Sequence, residues 1–324
     1  MAISRSWRSQ NIVDGPQRAT VQSIGELNDV FSAAFTDRYR RDGLVGVRVP
    51  FLNPAVWRYA IEDAAEGAMI WRDERGFVAA FNMVHRSGTE GWMGPLAVRA
   101  DQQGRGLGKD IVLKGVQWLR GRGATVIGLE TMPRTVDNIG FYSRLGFTPG
   151  HLTLTLAIEA ARHETPADAL SHLGSQARAG ALVECHSLLQ RILPGFDFSR
   201  EISLTSDLEL GETLLIHDQG MLVAFALAHT APLVEGRTRD ELRVLKLVVD
   251  DERRFAEVAR SIADFARRAG ARRVAFRMQG EYTEAYRQLV GLGGQVRWSD
   301  LRMSLNGHRE RRPAAGMVLS TSEI

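Results

Sequence analysis

A single cysteine, Cys185, stands in the 324 residues, which excludes an intrachain disulfide and any site built from clustered thiolates. That scarcity suits a reducing compartment, and the expected location is cytoplasmic. Lysine is almost as rare: Lys109, Lys114 and Lys246 are the only three among 41 basic side chains, set against 38 acidic ones for a net charge of +3. The other cations are arginines dispersed along the chain, and the densest basic cluster, His308-Arg309-Glu310-Arg311-Arg312, is short and lies near the end. No nucleic-acid footprint results, so neither DNA nor RNA is an expected partner. Long apolar runs are missing too. Met1–Asp14 has no hydrophobic signal core, and nowhere do about 18 apolar residues follow one another, so no membrane partner is expected. His85 and His151 lack a second ligand at metal spacing, and no metal is expected. Aromatic residues make up 7%; Trp57, Trp71 and Trp92 read as core or hairpin packing.

What is present suffices for large cores: 44% of residues are hydrophobic, and the length corresponds to about two domains. Residues 1–18 are polar and without period, and read as a frayed arm. A short strand at Ala19–Ser23 and a helical stretch from Ile24 follow. Two β-like runs, Ala68–Arg72 and Gly76–His85, are joined by a turn, and Trp92–Val98 is a third. A glycine-rich segment then opens a helix to about Arg122. The strand Thr125–Thr131, a helix around Asn138–Leu145 and a strand His151–Ala157 complete the unit. The polar segment Glu159–Asp168 reads as a linker, after which similar elements recur. Glu212–His217 and Met221–His229 form a second hairpin, Leu242–Val249 resembles Trp92–Val98, and Phe255–Ala269, Arg273–Met278 and Glu281–Val290 repeat the helix, strand and helix. Leu96 aligns with Leu247 and Tyr142 with Tyr286 in this repeat. The expected fold class is α/β, in the α+β sense, with units at 1–160 and 161–324 and a tail or late-added strand over Gly307–Ile324.

The chemistry-bearing stretch is Gln103-Gly104-Arg105-Gly106-Leu107-Gly108-Lys109, between a strand and a helix. Glycines let the backbone turn tightly and a ligand approach closely, while a helix's first turn offers unpaired N–H groups to an anion. Arg105 and Lys109 add positive charge. A Walker A loop would need glycine at Gln103 and Ser or Thr at Asp110. A dinucleotide fingerprint would need a third glycine at Lys109 or Ile111. Neither spacing fits, which leaves a phosphate cradle of another kind or a glycine-rich strand-to-helix turn that binds nothing.

The arrangement Gln103-x-x-Gly106-x-Gly108, with Leu96-x-Val98 before it, Leu129-Glu130-Thr131 after it and Phe141-Tyr142-Ser143-Arg144-Leu145-Gly146-Phe147 beyond, resembles the GNAT (GCN5-related N-acetyltransferase) superfamily. The resemblance covers residues 90–150 closely and 19–160 in element order. It departs at Ala100, where proline is usual, and at Thr135, where asparagine is frequent, with Asn138 one turn later. It implies two GNAT-like units, each a mixed, mostly antiparallel central sheet flanked by helices. It also implies acetyl-CoA as co-substrate: pyrophosphate held by the backbone around Gln103, Gly104, Arg105, Gly106, Leu107, Gly108 and Lys109, the pantetheine arm along Leu96, Ala97 and Val98, and Asn138 and Tyr142 near it. Tyr142 is the implied acid for the departing thiolate, with core packing the alternative reading of its ring. A backbone N–H near Val98 is the implied oxyanion donor. The family's glutamate position corresponds to Trp92, which leaves Glu130 and Glu90 as candidate bases.

In the second half the matching loop, Val249-Asp250-Asp251-Glu252-Arg253-Arg254-Phe255, has no glycine and three acids, so it should not hold CoA in that way. The second unit reads as a degenerate copy that shapes the acceptor pocket of the first or forms a dimer surface. The expected activity is acetyl transfer to a primary amine of a small molecule, by a monomer or homodimer. A protein or peptide acceptor, or a non-catalytic acyl-CoA sensor, is the alternative.

Overall fold

The computed structural model of the protein describes residues 13–321. Its first unit comprises β1 (Asp14–Arg18), α1 (Ile24–Arg41), α2 (Pro54–Ala64), β2 (Ala68–Arg72), β3 (Val78–Ser87), β4 (Glu90–Val98), α3 (Leu107–Gly121), β5 (Val126–Thr131), α4 (Val136–Arg144) and β6 (Phe147–Glu159). The second repeats the order: β7 (Asp168–Ala169), α5 (Ser175–Ile192), α6 (Ser199–Asp207), β8 (Gly211–Asp218), β9 (Met221–His229), β10 (Glu241–Val249), α7 (Phe255–Arg268), β11 (Arg273–Gln279), α8 (Thr283–Gly291) and β12 (Gln295–Leu305), with β13 (Met317–Ser320) added at the end. Local signals place these elements where the chain can bury them. The Asn53 side chain accepts from the Ala55 N–H and Pro54 opens the helix, which fixes the start of α2. Along α7, Phe255, Val258, Ala259, Ile262 and Ala266 recur at helical spacing and are buried.

All strands join one sheet in the order β1-β2-β3-β4-β5-β12-β6-β11-β10-β9-β8-β7, with β13 beside β10. Read from either end, the order meets corresponding strands, so a pseudo-twofold axis lies between β12 and β6. Each unit lends its last strand to the other. β12 pairs with β5, Met303 opposite Leu129, and β6 pairs with β11, Leu156 opposite Phe276. Met303 and Leu305 thereby enter the first unit's core beside Met93, Ile111 and Tyr142. Burial of such side chains is worth about 1.5–3 kcal/mol each, so the exchange adds directly to the hold between the units. The polar stretch at 160–167, where no regular element forms, is the crossing between the two halves.

Three expectations are corrected. The first strand is Asp14–Arg18, and Val21–Ser23 is a single 3₁₀ turn that leads into α1; the arm expected over 1–18 lies outside the described residues up to residue 12 and is ordered sheet edge beyond it. The strand Gln295–Leu305 follows α8 where the sequence reading has none. Tyr286 is not the counterpart of Tyr142. The residues before α4 and α8, Thr135 and Tyr282, have nearly identical backbone angles, and counting on from them places Leu289 opposite Tyr142.

No helix among the described residues is long and apolar enough to cross a membrane, and no group of three metal-ligating side chains is found among them.

Candidate active site

The glycine loop lies where β4 hands over to α3. Residues 100–102 make one 3₁₀ turn, and Gly104 (φ +76°) and Gly106 (φ +88°) carry the chain through left-handed conformations into the helix. A Cβ at either glycine would meet open space, so the conformation, not crowding, calls for glycine there. The Lys109 and Asp110 N–H groups both take the Gly106 carbonyl, which leaves the earlier N–H groups of the turn to face an incoming anion. Arg105 and Lys109 are exposed beside them.

The strand leading into the loop splays. β4 pairs with β5 only from Glu90 to Met93, against Val126 to Leu129. At Gly94 (φ +149°) and Pro95 the register with β3 shifts, and β4 diverges from β5. The Arg99 N–H donates to the Ala79 carbonyl, which fixes the alternation along the strand: Ala97 turns its peptide groups to β3, while Leu96 and Val98 present theirs to the gap. The Gln103 side chain donates to the Val98 carbonyl at 2.9 Å and so ties the loop to the rim of the gap.

Beside the gap lies a cavity of about 430 Å³, within the size range of small-molecule sites. Phe31, Phe35 and Tyr39 of α1 form one wall, and Leu233, Val234 and Trp298 of the second unit form another. The segment that carries Leu233 and Val234 is fastened to the first unit by the Asn53 N–H on the Leu233 carbonyl, the Asn53 amide on the Pro232 carbonyl and a bridge between Leu52 and Val234. The floor is ionic. Glu130 meets Arg277, related to it across the pseudo-twofold axis, and accepts from Arg302 at 2.8 Å and from Thr153 at 2.5 Å. Arg277 also reaches Asp300 at 3.1 Å, and the Arg302 guanidinium lies 4.0 Å from the centre of the Trp92 ring.

Those partners decide what Glu130 can do. Burial would raise its carboxyl, but the Arg277 and Arg302 charges outweigh that and hold it at about 2. A carboxylate so stabilised is a poor proton acceptor near neutral pH, so the reading of Glu130 as general base is replaced by that of a counter-ion. Glu90, the other candidate, is buried away from the cavity, where it accepts from the Trp92 indole and from the Ser320 hydroxyl. Trp92 itself is both buried and part of the cavity wall, next to Met93.

Tyr142 sits on α4 with its ring between Phe141 and Phe147, packed in the core that also holds Leu96 and Val98. Burial pushes its phenol well above the usual range, so at neutral pH it keeps the proton an acid must give. Asn138 donates to Thr131 at 3.5 Å, which joins the start of α4 to the end of β5. Thr135 is buried and donates to Asp42, itself paired with Arg38, so that α1 is latched onto α4. Leu96, Ala97, Val98, the glycine loop and the α4 residues thus converge on one splay. Cys185 does not join them. It is buried in α5, where desolvation and the neighbouring Glu184 push its thiol up to about 12, and an acyl-cysteine route has no support.

Arg277, Trp298, Asp300 and Arg302 escape the sequence reading. Their one signal is the alternation Trp298-x-Asp300-x-Arg302, a strand pattern with its charges turned inward. Asp37 and Glu62 are paired with Arg40, Arg41 and Arg58 on helix surfaces, and Asp63 holds His85 at 2.6 Å, so none of the three acids faces the cavity.

The model of the Acetyltransferase (GNAT) family matches residues 31–147. A comparison with curated proteins yields no match. Among solved structures, the chain is similar to a Pyrococcus horikoshii protein described as a candidate acetyltransferase, at 15% identity over 99% of this chain and 98% of that one with a TM-score of 0.68. It is also similar to the N-myristoyltransferase of Saccharomyces cerevisiae with bound myristoyl-CoA (10% identity, 94% and 80% covered, TM-score 0.62). A third is a tandem GNAT protein from the clavulanic acid biosynthesis pathway (11% identity, 93% and 100% covered, TM-score 0.57). At these identities the likeness is one of fold, and it runs through both halves. The family model thus falls on the first unit, residues 31–147, and a second unit of the same strand order follows it, the double arrangement that the similar solved structures share along their length.

Proposed function

We propose that the chain transfers an acetyl group from acetyl-CoA directly to the primary amine of a small molecule with an apolar body. The observation that carries this reading is the opening of the β4 splay, with the Leu96 and Val98 peptide groups turned into it, onto a cavity with apolar walls and an ionic floor. The loop from Gln103 to Lys109 holds the pyrophosphate, Leu96 and Val98 pair with the pantetheine arm, and Asn138 lies along it. Acetyl-CoA supplies an electrophilic thioester carbonyl at the mouth of the cavity.

There the walls built by Phe31, Phe35 and Trp298 exclude water and orient the acceptor, while Glu130, Asp300 and Glu310, three acids on the two guanidiniums of Arg277 and Arg302, favour a cationic amine nearby. The acceptor ammonium first gives up a proton to water, and the neutral amine nitrogen then forms the new C–N bond as the C–S bond breaks. A β4 N–H steadies the charge developing on the carbonyl oxygen. Tyr142 gives its proton to the leaving sulfur and regains one from the acceptor nitrogen through water, so the reaction is balanced without a metal or redox partner.

The test is release of CoA thiol from acetyl-CoA against a panel of amines graded by apolar bulk, with lysine peptides included. Release that depends on a compact apolar amine supports the reading, and release only with peptides overturns the small-molecule assignment. Binding without turnover against any acceptor would favour an acyl-CoA sensor. The apolar walls also favour a second reading, in which a longer acyl chain occupies the cavity; a series of acyl-CoA chain lengths separates the two.

A further inference from the structure

The second unit has the same splay, and it is filled. β10 pairs with β11 from Glu241 to Val244 and then departs from it, as β4 departs from β5. Into that wedge runs β13, antiparallel to β10, with Leu319 opposite Leu247 and Met317 opposite Val249. The Thr321 N–H donates to the Leu245 carbonyl, and the alternation that follows from it turns the peptide groups of Leu247 and Val249 onto the strand. By the alignment of β4 with β10, these are the counterparts of Leu96 and Val98.

The opposite edge of β13 is matched as fully. The Val318 N–H and carbonyl both meet the Tyr282 hydroxyl, at 3.2 and 3.1 Å. The Ser320 carbonyl takes Gln279 and Arg302, at 3.2 and 3.4 Å, and the Ser320 hydroxyl accepts from Lys246 at 2.9 Å while donating to Glu90 at 2.5 Å. Tyr282 stands where the first unit has the smaller Thr135. At Gly316 (φ +72°) the chain passes so near Val249 that a Cβ would lie 2.5 Å from its carbonyl oxygen. The loop beyond β10 is closed by its own side chains: Asp251 accepts from the Arg253 backbone and pairs with its guanidinium, and Glu252 accepts from the Ala285 N–H.

We propose that the second splay has become a receptor for an extended peptide, and that its resident ligand is the chain's own strand 317–320. Main-chain pairing gives the affinity, as in strand addition at an open sheet edge, Tyr282 and Gln279 read the strand from its far side, and Lys246 of β10 meets the Ser320 hydroxyl across the pair. Because Ser320 touches Glu90 and Arg302, the seated strand also props the floor of the first unit's cavity. This inference stands independently of the acyl-transfer reading.

The test uses the full chain with a protease site inserted at the exposed pair Ala314-Ala315 and cut after folding. The fragment from residue 316 onward is expected to stay bound, one per chain, and to exchange with an added synthetic peptide of residues 316–324. Washing it out is expected to speed amide hydrogen exchange at Leu247 and Val249 by at least about tenfold, with acetyl-CoA stoichiometry unchanged. A fragment that leaves without any change at those amides overturns the proposal, and so does acetyl-CoA entering the vacated splay. Should the insertion prevent folding, hydrogen exchange on the unmodified chain decides the same point. Protection of residues 317–320 equal to that of β10 supports the receptor, and exchange at the rate of an exposed tail overturns it.

Discussion

The two units share their strand order and part company at one place, the splay of the fourth strand. In the first unit the loop beyond it is built on left-handed glycines with cations at its rim; in the second it is built on Asp250, Asp251 and Glu252, tied to Arg254, Arg253 and Arg312. The first splay opens on a cavity and the second is closed by β13. The first has Tyr142 on the following helix, and the second has Leu289, fully buried and without a proton to give. A shared topology therefore fixes where a ligand could go, whereas a few side chains and one short strand decide whether any ligand does.

That contrast can be broken at the loop with the largest effect. Gly106→Glu places a carboxylate beside the pyrophosphate position; at about 4 Å and an effective dielectric near 20 the repulsion is about 4 kcal/mol, or about a thousandfold in acetyl-CoA affinity by calorimetry. Arg253→Glu in the second loop should leave that affinity unchanged. Next in size is Glu130→Gln, which strips Arg277 and Arg302 of a shared counter-charge. It should lower the unfolding free energy by about 3 kcal/mol in denaturant titrations, at the lower end for a broken buried pair.

The same residue gives a pH signature. Its folded value, near 2, lies below the ordinary value of 4.5, so its stabilisation is complete above about pH 4.5 and is lost as the pH falls toward 2. Acid unfolding of the Gln variant should lack that part of the slope. Tyr142→Phe should lower kcat by about a hundredfold with the donor affinity kept, while Tyr286→Phe, the pairing the sequence favours, should change neither. The smallest effect is expected at Trp298→Ala. It should raise the acceptor KM by about tenfold, as the loss of one apolar wall, and leave the acetyl-CoA affinity as it was.

The sequence carries the first unit's splay almost whole, because the glycine loop, the strand before it and the Tyr142 helix are local patterns with fixed spacing. The acceptor cavity is not legible in that way. Arg277, Asp300 and Arg302 lie more than 140 residues from Glu130 along the chain, and only the exchange of β6 and β12 between units brings them to it. The state of Glu130 is out of reach for the same reason: a carboxylate's strength as a base is set by neighbours, here Arg277 and Arg302, that a local window does not contain. Register failed at Tyr286, where matching residue types across a diverged helix gave way to the backbone geometry of Thr135 and Tyr282. The tail could be taken for a late-added strand from its apolar run Met317-Val318-Leu319, but no local signal says that its partner is β10.

The most direct measurement is the stoichiometry of acetyl-CoA on the intact chain, by titration calorimetry, beside the Gly106→Glu variant. One molecule per chain, lost in the variant, is the outcome expected if the first splay binds the co-substrate and the second is closed. Two molecules per chain, or one that survives Gly106→Glu, would contradict the division of labour between the two units.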